Sequence, residues 1–247
     1  ITKANPANFS FETHLTTEKD ESIVLDLLTD YDTSSGEQLL KSFDMYIVSN
    51  TQTFKIEGCV ITQGEFRFGK GNPLILAVSG NGKKLSRVGD ENYSLPGTLQ
   101  SASATRTALK PLLNIQVGGS DVSNLQAATL TVQNNINWTP YETLQNSLSV
   151  TSASNAMYPS SYSLTDRVVS GNITQFFTSA NESEFQTFNT DTSVRVKTLR
   201  PNGNVFLDAN LSGCMFTKRS SQGEVFTQTY DYRLVTSPAD LGTIITY

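Results

Sequence analysis

An all-β fold is what this sequence predicts, and three observations carry the prediction. Residues 54–68, FKIEGCVITQGEFRF, alternate: Phe54, Ile56, Val60, Phe66 and Phe68 fall on one side, Lys55, Glu57, Gln63, Glu65 and Arg67 on the other. That period of two marks a β-strand with one dry and one wet face. Residues 124–138 repeat the pattern, with Ala128, Leu130, Val132, Ile136 and Trp138 opposite Thr129, Thr131, Gln133, Asn135 and Asn137. The composition agrees, because hydrophobic residues (37%) and charged residues (17%) are both scarce, and Ser, Thr, Asn and Gln fill the gap as they do in exposed sheets and polar loops. Both stretches far exceed the usual strand of about 5–6 residues; the first could reach about 50 Å at roughly 3.3 Å per residue. A strand that long and wet along one side calls for a reason.

Taken in order, the segment up to Thr17 has no clear period. ESIVLDLLTD (21–30) places Ile23, Leu27 and Leu28 on one helical face and predicts a short helix capped by Asp20. Leu39–Ser49 reads as a strand ahead of the long one, and LILAVSG (74–80) as its hairpin partner across GKGNP. Two polar stretches, 81–110 and 139–165, read as long loops, and loops of that length are generally functional. Strands are expected at PLLNIQVGG and at DRVVSGNITQFF (166–177), where Ser170, Asn172 and Thr174 share a face. NESEFQTFNTD (181–191) sets Phe185 and Phe188 at i, i+3 behind an Asn cap and predicts a second helix. The rest is strand, punctuated by the hairpin turn RPNGN. EGCVITQ, SGNITQ and SGCMFTK each put Gly before a similar strand, which hints at bulges and at an internal duplication.

The 247 residues are expected to form one domain, 1–247, with residues 1–40 as an N-terminal segment. The net charge of −5 argues against tight nucleic-acid binding. No apolar run approaches the ~18 residues that span a bilayer, and no secretory leader is visible, so no membrane is expected. Cys59 and Cys214 lie in apolar strand surroundings and are expected as buried free thiols, although the sequence leaves a disulfide open.

Catalytic constellations are missing. His14 is the lone histidine, so any triad would depend on it. There is no CxxC, no GxSxG and no phosphate-binding GxxxxGK[ST]; the lysines of GKGNPLILAVSGNGKK have the wrong spacing. The acids of EKDES and GDENY read as solvated loop tips rather than as a carboxylate pair or a Ca²⁺ site. NIT (172–174) and NES (181–183) match the glycosylation pattern by chance. No catalytic residue, metal site or cofactor is expected, and the chain is not expected to be an enzyme.

The order FKIEGCVITQGEFRFGKGNPLILAVSGNGK, LQAATLTVQNNIN, a polar loop, DRVVSGNITQFF and ESEFQTF resembles the tail tube proteins of long-tailed bacteriophages. The matching positions are Gly58, Cys59, Val60, Ile61, Gly80, Asn134, Asn135, Val169, Ser170, Gly171 and Ile173, with Phe185 and Phe188 in the helix. The resemblance covers roughly residues 43–247. It implies a β-sandwich or split barrel with a flanking helix, lending strands to an inner barrel shared by six copies. Such rings stack into a hollow tube that conducts DNA during ejection. The implied partners are other copies of the chain, the tape measure, terminator and baseplate proteins, and passing DNA. The implied location is the virion tail, with assembly in the host cytoplasm. Glu57, Gln63, Glu65, Thr131, Gln133, Asn135, Asn172 and Thr174 are then the candidate lumen residues, with Lys55 and Arg67 near strand ends, and the lumen is expected to be net negative. The two long loops would make subunit or ring-to-ring contacts. The competing readings are another virion β protein (terminator, baseplate or capsid decoration) and a carbohydrate-binding or adhesin sandwich built around Trp138 and Tyr141.

Overall fold

The computed structural model describes residues 6–16, 21–32, 39–69, 71–98, 108, 112–138, 159, 161–179, 181, 191–200, 202–222, 226–236, 241–242 and 244–247, with backbone alone at 218–222. The elements in chain order are β1 (Ala7–His14), α1 (Ser22–Thr29), β2 (Tyr31–Asp32), β3 (Leu39–Leu40), β4 (Phe43–Val48), β5 (Thr53–Gly69), β6 (Ile75–Gly82), β7 (Lys84–Gly89), β8 (Leu112–Val117), β9 (Ser120–Asp121), β10 (Leu125–Trp138), β11 (Tyr162–Phe176), β12 (Thr192–Leu199), β13 (Val205–Gln222), β14 (Thr227–Leu234) and β15 (Ile245–Thr246). The all-β expectation holds. One antiparallel sheet of 13 strands runs β1-β6-β5-β10-β11-β14-β13-β12-β8-β9, with β4 and β7 also on β5 and β15 also on β13; β2 and β3 form a separate ribbon. The path ends at β1 and β9, so the chain alone closes no barrel. The dry faces share one core, from Phe9 and Phe66 to Val196 and Leu211.

The long strands are long because each serves two ladders. Thr53–Cys59 of β5 pairs with β4 and β7, whereas Val60–Gly69 pairs with β6 and β10. The change falls at Gly58, whose φ of 56° is open to glycine but strained for most residues. Gly213, with φ 79°, does the same in β13: the residues before it pair with β12 and β15, those after it with β14. A buried cysteine follows each kink, and both thiols are free as expected. Burial pushes the Cys59 thiol up to about 11 and that of Cys214 up to about 12.

The match between the two kinked strands extends to their neighbours. Phe43 pairs with Cys59 and Met45 with Ile56, skipping two residues; Thr192 pairs with Cys214 and Val194 with Leu211, skipping two residues. Beyond the kink, Ile61 pairs with Gly80 and Gln63 with Ser79; Phe216 pairs with Tyr232 and Lys218 with Asp231. Phe9 faces Gly80 as Gly171 faces Tyr232. The strands β1, β4, β5, β6 and β7 therefore recur in register as β11, β12, β13, β14 and β15. Of the three stretches that hinted at duplication, EGCVITQ and SGCMFTK take equivalent places on β5 and β13, whereas SGNITQ lies on β11 and has no such counterpart. In each unit an aromatic ring lies over a glycine in the facing strand, although the order is swapped. A Cβ on Gly80 would stand 2.4 Å from Phe9 Cζ, and one on Gly171 would stand 2.4 Å from the Tyr232 hydroxyl and 2.1 Å from Thr129 O.

Several expectations shift. The N-terminal segment, which lacked a clear period, contains β1, paired with β6 along its whole length. The bulge between Ile61 and Gln63 changes the phase of β5, so Val60 pairs with Asn81 and, though fully buried as expected, stands outside the cluster that holds Phe66. The helix 21–30 is present, but it buries Leu25, Leu28 and Thr29 and leaves Ile23 63% exposed; a face built on Ile23 would point away from the sheet. Its N-cap is Glu21, whose carboxylate accepts from the Thr16 backbone N–H and from the Tyr247 hydroxyl rather than capping the helix. Asp20 lies outside the described residues, as does 182–190 of the second expected helix. Of the loop 81–110, residues 81–82 end β6 and 84–89 form β7; of 139–165, residues 162–165 begin β11, and 139–158 lie outside the described residues.

A buried polar clamp fixes α1 to the sheet. Arg167, 2% exposed, donates through Nη2 to the carbonyls of Leu28 (3.1 Å) and Thr29 (2.7 Å) and through Nε to Asn134 Oδ1 (2.8 Å). Asn134 Nδ2 donates to Leu28 O and Ile61 O. The guanidinium sits 4.4 Å from the Tyr31 ring. A cation is suited to a helix C-terminus, where carbonyls converge.

Two stability outcomes follow. Gly171→Ala forces overlap with backbone and ring, and chemical denaturation should show a loss of about 1–3 kcal/mol. Arg167→Ala takes the Arg167 donor from the Thr29 carbonyl and the Asn134 amide oxygen, while Leu28 O keeps the Asn134 amide, and the expected loss is about 2–4 kcal/mol; a wild-type unfolding midpoint in either variant would contradict these packing assignments.

Candidate functional site

Cross-strand register decides which polar side chains share a face. Gln63 of β5 lies between Ser79 of β6 and Gln133 of β10; Glu65 lies between Ala77 and Thr131; Arg67 lies between Ile75 and Thr129. The rows continue outward. Ser79 meets Ser10 and Ala77 meets Glu12 on β1, while Thr131 meets Ser170 and Thr129 meets Asn172 on β11. On β14, Ser170 meets Arg233, Asn172 meets Asp231 and Thr174 meets Thr229. One polar face thus spans β1, β6, β5, β10, β11 and β14. Seven of the eight candidate residues stand on it: Gln63, Glu65, Thr131, Gln133, Asn135, Asn172 and Thr174.

Glu57 does not join them. It precedes the Gly58 kink, faces Lys84 of β7 and lies 3.9 Å from Lys55 Nζ. Lys55 Nζ is 2.9 Å from Asp44 Oδ2, and Asp44 Oδ1 accepts from the Gly58 N–H at 2.9 Å. Burial alone would raise the Asp44 pKa; the Gly58 amide and Lys55 outweigh it and hold the carboxyl below its usual value. These charges fasten the kink rather than extend the face. Sequence alternation could not reveal this, because the kink breaks the phase.

Sequence reading missed Ser10 and Glu12, which came with the unrecognised β1, and Ser79, Asp231 and Arg233, which needed the register. Arg67 does lie near a strand end, two residues before the last residue of β5, and it closes a row with Ile75 and Thr129. Its Nε lies 2.6 Å from Glu65 Oε1 and its Nη1 2.7 Å from Glu12 Oε1. The hydrogen bonds that Arg67 donates to Glu65 and then to Glu12 raise its pKa. Elsewhere the face is tied by neutral bonds, Gln133 Nε2 to Asn135 Oδ1 at 2.9 Å and Thr174 to Thr229 between hydroxyls at 3.0 Å. Shallow depressions lie over Ser10, Glu12, Gln63, Glu65, Arg67 and Ser79 and over Thr62, Gln63, Asn81, Gln133 and Asn135.

Among the described residues, carboxylates on this face (Glu12, Glu65, Asp166, Asp231) outnumber guanidinium groups (Arg67, Arg233). No group of three or more His, Cys, Asp or Glu side chains among them could hold a metal ion. His14 is exposed at the end of β1. Trp138 is half-buried with its ring 5.2 Å from Tyr162, which is not the open stacking platform a sugar would want, and Tyr141 lies outside the described residues.

A wide polar face that, among the described residues, carries no metal-binding group of side chains suits a wall. Sequence comparison matches residues 1–247 to the family described as the Bacteriophage Baseplate Tube Protein Family. The chain belongs to that family. A search of curated proteins returned no match. The chain is accordingly a bacteriophage structural protein and a component of the virion. The resemblance to tail tube proteins thus holds at the level of phage tube architecture, and the matched family is that of the baseplate tube.

Arg67 and Arg167 give opposite expectations. Arg67 sits in solvent-exposed ion pairs, which contribute little to stability, so Arg67→Ala should leave the thermal midpoint nearly unchanged. A midpoint drop matching that of Arg167→Ala would make Arg67 a structural residue instead.

Proposed function

We propose that copies of this chain join edge to edge into rings whose shared inner barrel is lined by the polar face, and that the rings form part of the hollow tube through which DNA leaves the particle. The observation that carries this reading is the single polar face, continuous across six strands and, among the described residues, without a group of side chains that could hold a metal ion. A water-filled barrel needs strands that are wet inside and dry outside, and closing the ring removes the open edges that invite uncontrolled pairing. The role is structural, not enzymatic. The partners are other copies of the chain, neighbouring baseplate and tail proteins such as the tape measure and terminator, and DNA in passage. Assembly takes place in the host cytoplasm.

The surface chemistry suits a conduit. Each phosphate neutralised by Lys or Arg releases counterions and adds affinity. Acids outnumber guanidinium groups on the face, and Arg67 is already engaged by two of them, so DNA finds little to hold it. The duplication revises the expected stoichiometry. Six chains would place twelve copies of the unit around the bore, whereas three chains supply six units under closed cyclic symmetry. The second reading, another baseplate role, is also compatible with the family's description.

Electron microscopy and native mass measurement of the purified protein test this. Hollow rings or striated tubes built on three chains are expected. A bore lined by dry or strongly basic side chains, or particles with no central hole, would reject the tube. Rings of six chains would keep the tube and reject the repeat count.

A further inference from the structure

The two units end their walls alike but in different surroundings. In the first unit the last pairs are His14 and Arg67 with Ile75, and just beyond them the Leu15 N–H donates to Leu74 O at 2.9 Å. In the second unit the last pairs are Phe176 and Gln222 with Thr227, and just beyond them the Phe177 N–H donates to Phe226 O at 2.7 Å. Phe177 and Phe226 therefore take the places of Leu15 and Leu74. Leu15 and Leu74 are 0% and 1% exposed, whereas Phe226 is 75% exposed and Phe176 beside it 41%.

The Leu15 end of the first unit has a neighbour within the chain. This is the second flap, made of β12, β15 and the residues of β13 before Gly213. Tyr247, which follows β15, has its ring 4.8 Å from that of Phe206 on β13 and donates to Glu21 Oε2 at 3.1 Å. Glu21 also accepts from the N–H of Thr16, the residue after Leu15. Val194, Val196, Ala209 and Leu211 of this flap are fully buried and belong to the same core cluster as Leu15 and Leu74.

The first flap, made of β4, β7 and the residues of β5 before Gly58, repeats that apolar row. Met45 and Ile56 stand where Val194 and Leu211 do, and Ile47 and Phe54 where Val196 and Ala209 do. Leu85 extends the row beyond Ile56. Yet Ile47 and Leu85 are 44% and 51% exposed, and Phe54 is half-buried. Exposed apolar side chains are ordinary when they stand singly. Here they form the two halves, flap and wall end, of a contact that the chain already makes once within itself.

We propose that the first flap of one copy docks, through Ile47, Phe54 and Leu85, on the Phe226 end of the second unit in a neighbouring copy, repeating between chains the contact that the second flap makes with the Leu15 end inside the chain. This rests on the ring reading, because a head-to-tail contact builds a ring when its rotation closes. Each chain gives one flap and receives one. The contact falls on the dry side of the wall, since Ile56 and Leu211 both lie in the core cluster, and it leaves the polar face untouched.

Mixed cross-linking tests the contact. Full-length Leu85→Cys and Phe226→Cys chains are prepared separately, mixed, assembled and treated with a short bis-maleimide; the native Cys59 and Cys214 are buried. The expected product is a covalent dimer holding one chain of each kind, linked at positions 85 and 226, which neither variant gives alone. Phe226→Asp should raise the concentration needed for ring formation by about tenfold or more, while the thermal midpoint of the single chain stays at the wild-type value. Rings that form without the 85–226 link, or at an unchanged concentration in Phe226→Asp, would overturn this docking and leave the ring reading intact. Failure of the wild-type protein to form rings under any assembly condition would overturn the ring reading, and this inference with it.

Discussion

The fold depends on two residues at which a strand turns while its hydrogen bonding continues. At Gly58 and Gly213 the backbone takes a positive φ, and the ladder passes from one pair of neighbours to another. A straight β5 of 17 residues would extend about 56 Å at roughly 3.3 Å per residue, more than a core of this size could cover. Kinked, its first half forms a flap with β4 and β7, and its second half enters the wall between β6 and β10. The Gly58 amide, turned out of the ladder, is taken up by Asp44, which Lys55 holds in its charged form. Cys59 and Cys214 then enter the core directly, where a small apolar group fits beside the turned backbone.

The same kinks explain what the sequence revealed and what it hid. β10 was legible almost whole, because its alternation runs unbroken from Ala128 to Gln133, and β11 was legible from Ser170 to Thr174 for the same reason. Glu57 was misplaced because Gly58 and the bulge at Thr62 each reset the phase, and counting by two cannot see either. β1 alternates as well, with Phe9 and Phe11 against Asn8, Ser10 and Glu12, but it is short and flanked by unpatterned sequence. Asn134 looked like one more polar residue of an NN pair; its burial follows from the end of α1, more than a hundred residues away along the chain, and from Arg167 on the neighbouring strand. The wall could be read in pieces, but joining the pieces required the register between strands.

The duplication was faint in sequence because register is carried by the backbone. Residue pairs need to preserve only the space they fill. Phe9 over Gly80 and Tyr232 over Gly171 place one ring and one bare backbone in the same relation, with the ring contributed by opposite strands. A comparison of residue with residue scores that pair as two mismatches. What persists is Gly-Cys, where the backbone itself makes the demand.

Two units in one chain are freer than two identical chains would be. The second flap packs Val194, Val196, Ala209 and Leu211 fully into the core, while the matching face of the first flap leaves Ile47 and Leu85 44% and 51% exposed. Identical subunits in a ring must present the same surface at every position. A fused pair keeps the common backbone geometry that the bore requires, yet lets one flap close on its own chain and the other stay open. Alternation of that kind around a ring offers neighbouring proteins half as many docking positions as there are wall units.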